Sequence, residues 1–388
     1  MRSLRTIAAL LLTAGVLGAC AGSGSGAQPS MGWSTPSPSS TSSGSSTPSS
    51  SSTPSPSPTP SPSSTSSGTP TSAASSAIPT VLPTPVEPQV GRAAWVTVSV
   101  ATVWRSPSSP RDVDRPALRN PAAIRQWLSA MTLSDRLGLS GRADTQALLG
   151  ERVVVTARSG TWVKVVVPDQ PTPLDARGYP GWVPIGQLTA TPPTASSVSA
   201  TVTTATAWLR TDDGLAAAVV EVSFGTRLPR VGASGAWERV ATPSGRVLRV
   251  AADQVSVTAP DVPALPGTGS DLVRSATMFT GLAYLWAGTS GFGLDCSGLT
   301  SLVYRVHGAT IPRDADAQAA RGAPVAASAL RPGDLLFYAS DGYVHHVSMY
   351  AGSGLMVQSP HTGASVETIP VSTAAYAVEY AGARRYLG

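Results

Sequence analysis

Cysteine and lysine are scarce in this 388-residue chain, which holds two Cys (Cys20 and Cys296) and a single Lys, Lys164, among 27 Lys and Arg. Two Cys exclude a disulfide-stapled miniprotein and any Cys-rich zinc module. Histidine is also rare: the four residues, His307, His345, His346 and His361, all fall in the last quarter, so any imidazole chemistry belongs there. Charged residues make up only 13% and aromatics 6%. The net charge is +5, but no basic run reaches five residues. Nucleic acid, whose phosphates call for clustered cations, is therefore not an expected partner. What is abundant is Gly (37) and Pro (35), unevenly spread.

Residues 1–20 read as an export signal. Arg2 and Arg5 precede the apolar run Ile7 to Leu17, which falls short of the roughly 20 residues a membrane span needs. It closes on Leu17-Gly18-Ala19-Cys20, which resembles the bacterial lipobox, so Cys20 is the expected lipidation site and the membrane an expected partner. The expected location is extracytoplasmic, on the outer face of the cytoplasmic membrane. Residues 21–88 form a Ser/Thr/Pro-rich linker with no charged residue between Ala21 and Val86. Such a segment has too little apolar surface to offset its ordering entropy. Stretched as polyproline it spans up to roughly 200 Å.

Two stretches, 89–192 and 198–258, carry short β-type runs punctuated by Gly and Pro, such as Trp95–Val100 and Trp162–Val167. Gly150 precedes Trp162 by 12 positions and Gly225 precedes Trp237 by the same 12, implying two barrels of one type. A helical insertion is expected over Pro121–Leu139. Trp162 and Trp237 are expected in the barrel cores. Tyr179, in the Gly/Pro turn Gly178-Tyr179-Pro180-Gly181, is expected to be exposed. From 267 to 388 helices precede strands, an α+β order. One helix starts near Ser270, a candidate N-cap, and another at Cys296, with Leu299, Leu302, Val303 and Val306 on one face and Gly308 as the stop. Strands follow, including His346–Ala351 and Leu355–Ser359.

Once Cys20 is lipidated, Cys296 has no disulfide partner. It sits after a Gly-rich loop at the first turn of a helix, where N–H groups and the macrodipole favour a thiolate. A base is then needed, and His346, on an apolar strand, is the candidate. His345 faces the opposite way on that strand. His307, in the last turn of its helix, reads as structural.

The segments Tyr284-x-Trp286-Ala287-Gly288, Leu294-Asp295-Cys296-Ser297-Gly298, Arg331-Pro332-Gly333-Asp334-Leu335 and His346-Val347-Ser348-Met349-Tyr350 resemble the NlpC-type cell-wall cysteine peptidases. The resemblance covers nearly all of 267–388 and implies a compact papain-like domain acting on peptidoglycan stem peptides, without metal or other cofactor. It makes Cys296 the nucleophile, His346 the base and Tyr284 a residue lining the site. The position that orients the histidine, usually His, Asn, Asp or Glu, falls on Gln358, with His361 as the fallback. The barrels are similar to the bacterial SH3-like domains of the γ-D-glutamyl-L-diamino-acid endopeptidases (the YkfC-like branch). In that branch a barrel carboxylate, a Tyr and an Asp grip a free N-terminal L-Ala. Tyr179 and Asp314 match, and the barrel carboxylate is Asp144 or Glu151. The expected architecture is thus two SH3-like β-barrels followed by an α+β papain-like peptidase domain. Two alternatives stay open: the same hydrolysis on intact peptidoglycan, and a non-catalytic wall-binding lipoprotein.

Overall fold

The computed structural model describes residues 85–387, so the signal segment, Cys20 and the linker through residue 84 lie outside the described residues. The first sheet is built from β1 (Ala93–Val96), β2 (Val100–Trp104), β3 (Ala143–Leu148), β4 (Arg152–Ser159), β5 (Trp162–Val167), β6 (Tyr179–Pro184) and β7 (Leu188–Thr189). Its order is β3-β2-β6-β5-β4-β1-β7. The second comprises β8 (Ser199–Val202), β9 (Thr206–Thr211), β10 (Ala218–Ser223), β11 (Arg227–Ser234), β12 (Trp237–Ala241), β13 (Val247–Ala251) and β14 (Val255–Thr258), in the order β10-β9-β13-β12-β11-β8-β14. Shifted by seven strands, the two orders are identical. The Gly-to-Trp repeat in the sequence is therefore a repeat of topology.

Between β2 and β3 the chain inserts α1 (Arg115–Leu118), α2 (Ile124–Ala130) and α3 (Leu133–Leu137). The sequence suggested one helical stretch; it breaks because Thr132 and Asp135 form a capping box that starts a new helix. The insertion is pinned by Trp127, whose ring lies 6.2 Å from that of Trp104 and whose Nε1–H donates to the buried Asp114 carboxylate (2.8 Å). Trp162 and Trp237 are not the core tryptophans: each opens a strand after a tight Gly turn and sits half-buried at the rim, Trp237 beneath the Arg249 guanidinium. Trp104 and Trp127 fill that role.

The last part begins with α4 (Gly269–Thr277), capped by Thr268 rather than Ser270, because the Thr268 side chain accepts the Asp271 N–H. A short hairpin, β15 (Thr289–Ser290) and β16 (Gly293–Leu294), leads into α5 (Cys296–Val306) and α6 (Ala315–Ala319). The remaining elements are β17 (Ala323–Val325), β18 (Leu335–Ser340), β19 (Tyr343–Gly352), β20 (Leu355–Gln358), β21 (Glu367–Pro370), α7 (Ala374–Ala377) and β22 (Tyr380–Arg385). The sheet runs β17-β22-β18-β19-β20-β21, with α5 packed across β19. One apolar core runs from Trp104 and Ile124 in the first barrel through Phe224 in the second to Leu299, Val303 and Met349 here. Polar ties reinforce it: Arg125 pairs with Glu221 (2.6 Å), and Gln146 of β3 bonds Thr289 and Ser290 of β15. The first barrel is thus fixed against the loop that precedes Cys296.

Candidate active site

Cys296 is the first residue of α5. Its N-cap, Asp295, accepts the Gly298 N–H at 2.6 Å. Gly298 is required there, since a Cβ would collide with the Gly288 carbonyl oxygen of the loop lying across the helix start. The Asp295 carboxylate is not left alone. Arg313, 1% exposed, grips it with two nitrogens (3.0 and 2.6 Å) and also donates to Ser297 Oγ (3.0 Å) and Thr145 Oγ1 of the first barrel (2.9 Å). The sequence reading gave Asp295 and Arg313 no role. Their signal was an Arg set between Ile311-Pro312 and Asp314-Ala315, a cation in an apolar stretch that needs a buried partner.

The sulfur lies against the backbone N–H groups of Ser297 and of Val347, the residue after His346. Burial, reinforced by the Asp295 charge, pushes the thiol up to about 12. The sequence suggested a resting thiolate. Desolvation opposes that ionisation more strongly than the two N–H groups favour it.

His346 is buried against the rings of Tyr338 and Tyr376 (5.4 and 5.6 Å between centroids), which also meet each other. That apolar setting lowers its imidazole to about 4, so it too rests neutral. Its Nε2 is 2.7 Å from Gln358 Oε1, and Gln358 Nε2–H donates to Glu367 Oε1 (2.9 Å). With Nε2 as donor, Nδ1 carries the lone pair. Gln358 is therefore the histidine's partner. His361 is exposed on the following loop, its Nδ1 3.0 Å from the Thr362 carbonyl. His345 sits where the β18–β19 register shifts, so strand alternation does not turn it away: it lines the same cavity as Cys296 and pairs with Glu379 (3.3 Å). His307 binds Ser275 Oγ (2.8 Å) and the Pro266 carbonyl, a structural role.

A cavity of about 400 Å³ opens over the sulfur, and Tyr284, Tyr179, Asp144 and Asp314 all line it. Tyr179 is buried, not exposed as its turn suggested. Strand β6 starts at this residue, which pairs with Val167 and turns inward, bringing its hydroxyl 3.3 Å from Asp314 Oδ1. Burial holds both tyrosine phenols far above their ordinary value, so each remains a donor. Asp314 stands at the N-cap position of α6, yet its side chain caps nothing. Burial raises its carboxyl to about 6 against the pull of Arg313. Asp144 is held by Arg105 at 2.6 Å. Glu151 is elsewhere: it pairs with Arg305 (2.6 Å) and lines a separate cleft with Asp169 and Arg227. Of the two barrel carboxylates, only Asp144 faces the cavity.

The second barrel matches the YkfC SH3b2 domain over residues 202–257, and residues 281–385 match the NlpC/P60 family. The γ-D-glutamyl-L-lysine dipeptidyl-peptidase of Bacillus cereus is 44% identical over 304 residues, 76% of this chain and 91% of the relative. The chain belongs to the NlpC/P60 family. The enzyme of the same name in Bacillus subtilis is 39% identical, covering 75% of this chain and 97% of its own length. The crystal structure of an NlpC/P60 family protein from Bacillus cereus superposes with a TM-score of 0.72 at 41% identity, over 76% of this chain and all of that one. The match spans the barrels as well as the peptidase domain, and this NlpC/P60 chain is a cysteine peptidase.

Proposed function

We propose that the chain hydrolyses the bond between the γ-carboxyl of D-Glu and the diamino acid of peptidoglycan stem peptides, and that it prefers fragments with a free N-terminal L-Ala. The observation that carries the reading is the cavity, in which Asp314, Asp144 and Tyr179 converge beside Cys296. A half-buried carboxylate without a salt-bridge partner, in a pocket ending at a nucleophile, is a socket for an ammonium. Such a site rejects substrates that lack the amine, because its own polar groups are then left unpaired. The names of the Bacillus relatives point to the same bond.

The chemistry follows from two neutral partners. As Sγ approaches the γ-carbonyl carbon, its proton passes to His346 Nδ1 and the S–C bond forms. The oxyanion is met by N–H groups at the start of α5. Collapse breaks the C–N bond, and the imidazolium returns its proton to the leaving amine of the diamino acid. Water, deprotonated by the same Nδ1, then hydrolyses the thioester and releases L-Ala-γ-D-Glu. Gln358 holds the imidazole in the tautomer with Nδ1 free. As a neutral amide it stabilises the imidazolium less than a carboxylate would. Tyr284 walls the pocket beside the sulfur.

Mass spectrometry of L-Ala-γ-D-Glu-L-Lys after incubation tests this directly. The expected products are L-Ala-γ-D-Glu and Lys, with slower cleavage of the N-acetylated peptide and none by Cys296→Ala. Equal cleavage of both peptides would remove the amine socket from the account. We also propose that Cys20 carries a lipid that tethers the enzyme outside the cytoplasmic membrane. The support is Leu17-Gly18-Ala19-Cys20 and the uncharged linker behind it. Labelling with radioactive palmitate that persists in Cys20→Ala would contradict it.

A further inference from the structure

His346, Gln358 and Glu367 stand on three neighbouring strands. Met349 of β19 pairs with Val357 of β20, and Gln358 pairs directly with Glu367 of β21. Strand alternation then puts the three side chains on one face of the sheet. A side-chain amide is nearly symmetric in shape, so packing alone does not decide which end meets the imidazole. The outcome matters chemically. With oxygen toward His346, Nε2 carries the proton and Nδ1 is a base. With NH₂ toward His346, Nε2 must accept, the proton moves to Nδ1, and the base is lost.

The other groups around the amide do not settle this choice. The Tyr376 hydroxyl faces Gln358 but either donates or accepts. Tyr338 bonds Ser348 and Met356 instead. His345 is engaged by Glu379, and His361 lies on the exposed loop. Glu367, ionised, only accepts, so it claims the NH₂ end at 2.9 Å and leaves the oxygen for Nε2 at 2.7 Å. We propose that Glu367 is a positioning residue that fixes the Gln358 amide and, through it, the catalytically competent tautomer of His346. The inference rests on the reading of His346 as the base. It also explains how a neutral amide serves at the position that orients the histidine: the carboxylate is present, one strand further out.

The test uses Glu367→Met, close in shape and unable to accept, and the exchange Gln358→Glu with Glu367→Gln, in the full chain. In the exchange, Glu at 358 has acceptors at both ends and takes protons from His346 and from the new amide at 367. Glu367→Met is expected to lose tenfold or more in kcat, with KM within about twofold, since substrate contacts are untouched. ¹⁵N shifts of the imidazole are expected to show Nε2 protonated in the parent protein and a mixture of tautomers in the variant. The exchange is expected to restore kcat to within about threefold. It also moves the acid limb of kcat/KM to higher pH, because a full charge now faces the imidazolium. Unchanged kcat and tautomer in Glu367→Met overturn the proposal. An exchange variant that folds but stays as slow as Glu367→Met overturns it as well. The tautomer is read without turnover, so failure of the catalytic reading, seen as hydrolysis by Cys296→Ala, is told apart from failure of this one.

Discussion

Replacing Asp314 by Asn isolates the charge in the proposed amine socket. The isosteric amide keeps the volume and can still meet the Tyr179 hydroxyl, which lies 3.3 Å from Oδ1. It loses the less exposed of the two cavity carboxylates that have no salt-bridge partner, the other being Asp316, since Asp144 is held by Arg105 at 2.6 Å and Asp295 by Arg313 at 2.6 Å. A hydrogen bond between charged groups contributes about 1.5–3 kcal/mol, which at about 1.4 kcal/mol per decade is a loss of roughly 10–150-fold in kcat/KM. The loss applies to the free-amine peptide alone, so the preference over the N-acetylated peptide shrinks by the same factor. Stability moves the opposite way. Burial raises the Asp314 carboxyl to about 6 in the folded protein, against 3.8 in the unfolded chain. Its contribution to stability is full below 3.8 and is lost as pH rises through 6. At neutral pH the ionised group costs on the order of 3 kcal/mol, which Asn removes. The variant is therefore expected to melt at or above the parent temperature while discriminating poorly. The same titration predicts that affinity for the free amine weakens below about pH 6. Kinetics on the two peptides with parallel thermal melts check all of this. Equal losses on both peptides, or a lower melting temperature with discrimination intact, would refute the socket.

Two further outcomes follow from the nucleophile's surroundings. Because burial pushes the Cys296 thiol up to about 12, alkylation by iodoacetamide is expected to climb steadily through the alkaline range. A plateau already reached near pH 6 would mean a resting thiolate–imidazolium pair. Arg313→Gln strands the buried Asp295 charge that Arg313 grips at 2.6 Å, and breaking a buried pair from one side costs about 3–5 kcal/mol. The urea midpoint should drop accordingly, and an unchanged midpoint would show that Asp295 finds other compensation.

The sequence reading reached furthest where chemistry and local periodicity agree. Cys296 at a helix start and His346 on an apolar strand were legible from local pattern, whereas Gln358 was reached only through the family resemblance, at the position that orients the histidine. The twin barrels were legible through turn glycines, which report backbone geometry directly. Other assignments needed neighbours distant in sequence. Choosing Asp144 over Glu151 depends on Arg305, which sits on α5 and captures Glu151. The tryptophans were misplaced because residues flanking a tight turn sit at a barrel's rim whatever their size. Tyr179 looked like part of a surface turn, yet it heads a strand whose pairing turns it inward. The cost of ionising Cys296 was hidden for a related reason. A helix N-terminus is visible in sequence, whereas the burial of the sulfur is not.

The central claim is that Cys296 forms the bond to the γ-carbonyl of D-Glu. Rapid acid quenching during turnover of L-Ala-γ-D-Glu-L-Lys, followed by intact-mass and peptide-level spectrometry, reads that bond itself. The account predicts an added L-Ala-γ-D-Glu acyl group, released by hydroxylamine and mapped to Cys296. Product formed at full rate by Cys296→Ala, with no acylated species at any quench time, would contradict it.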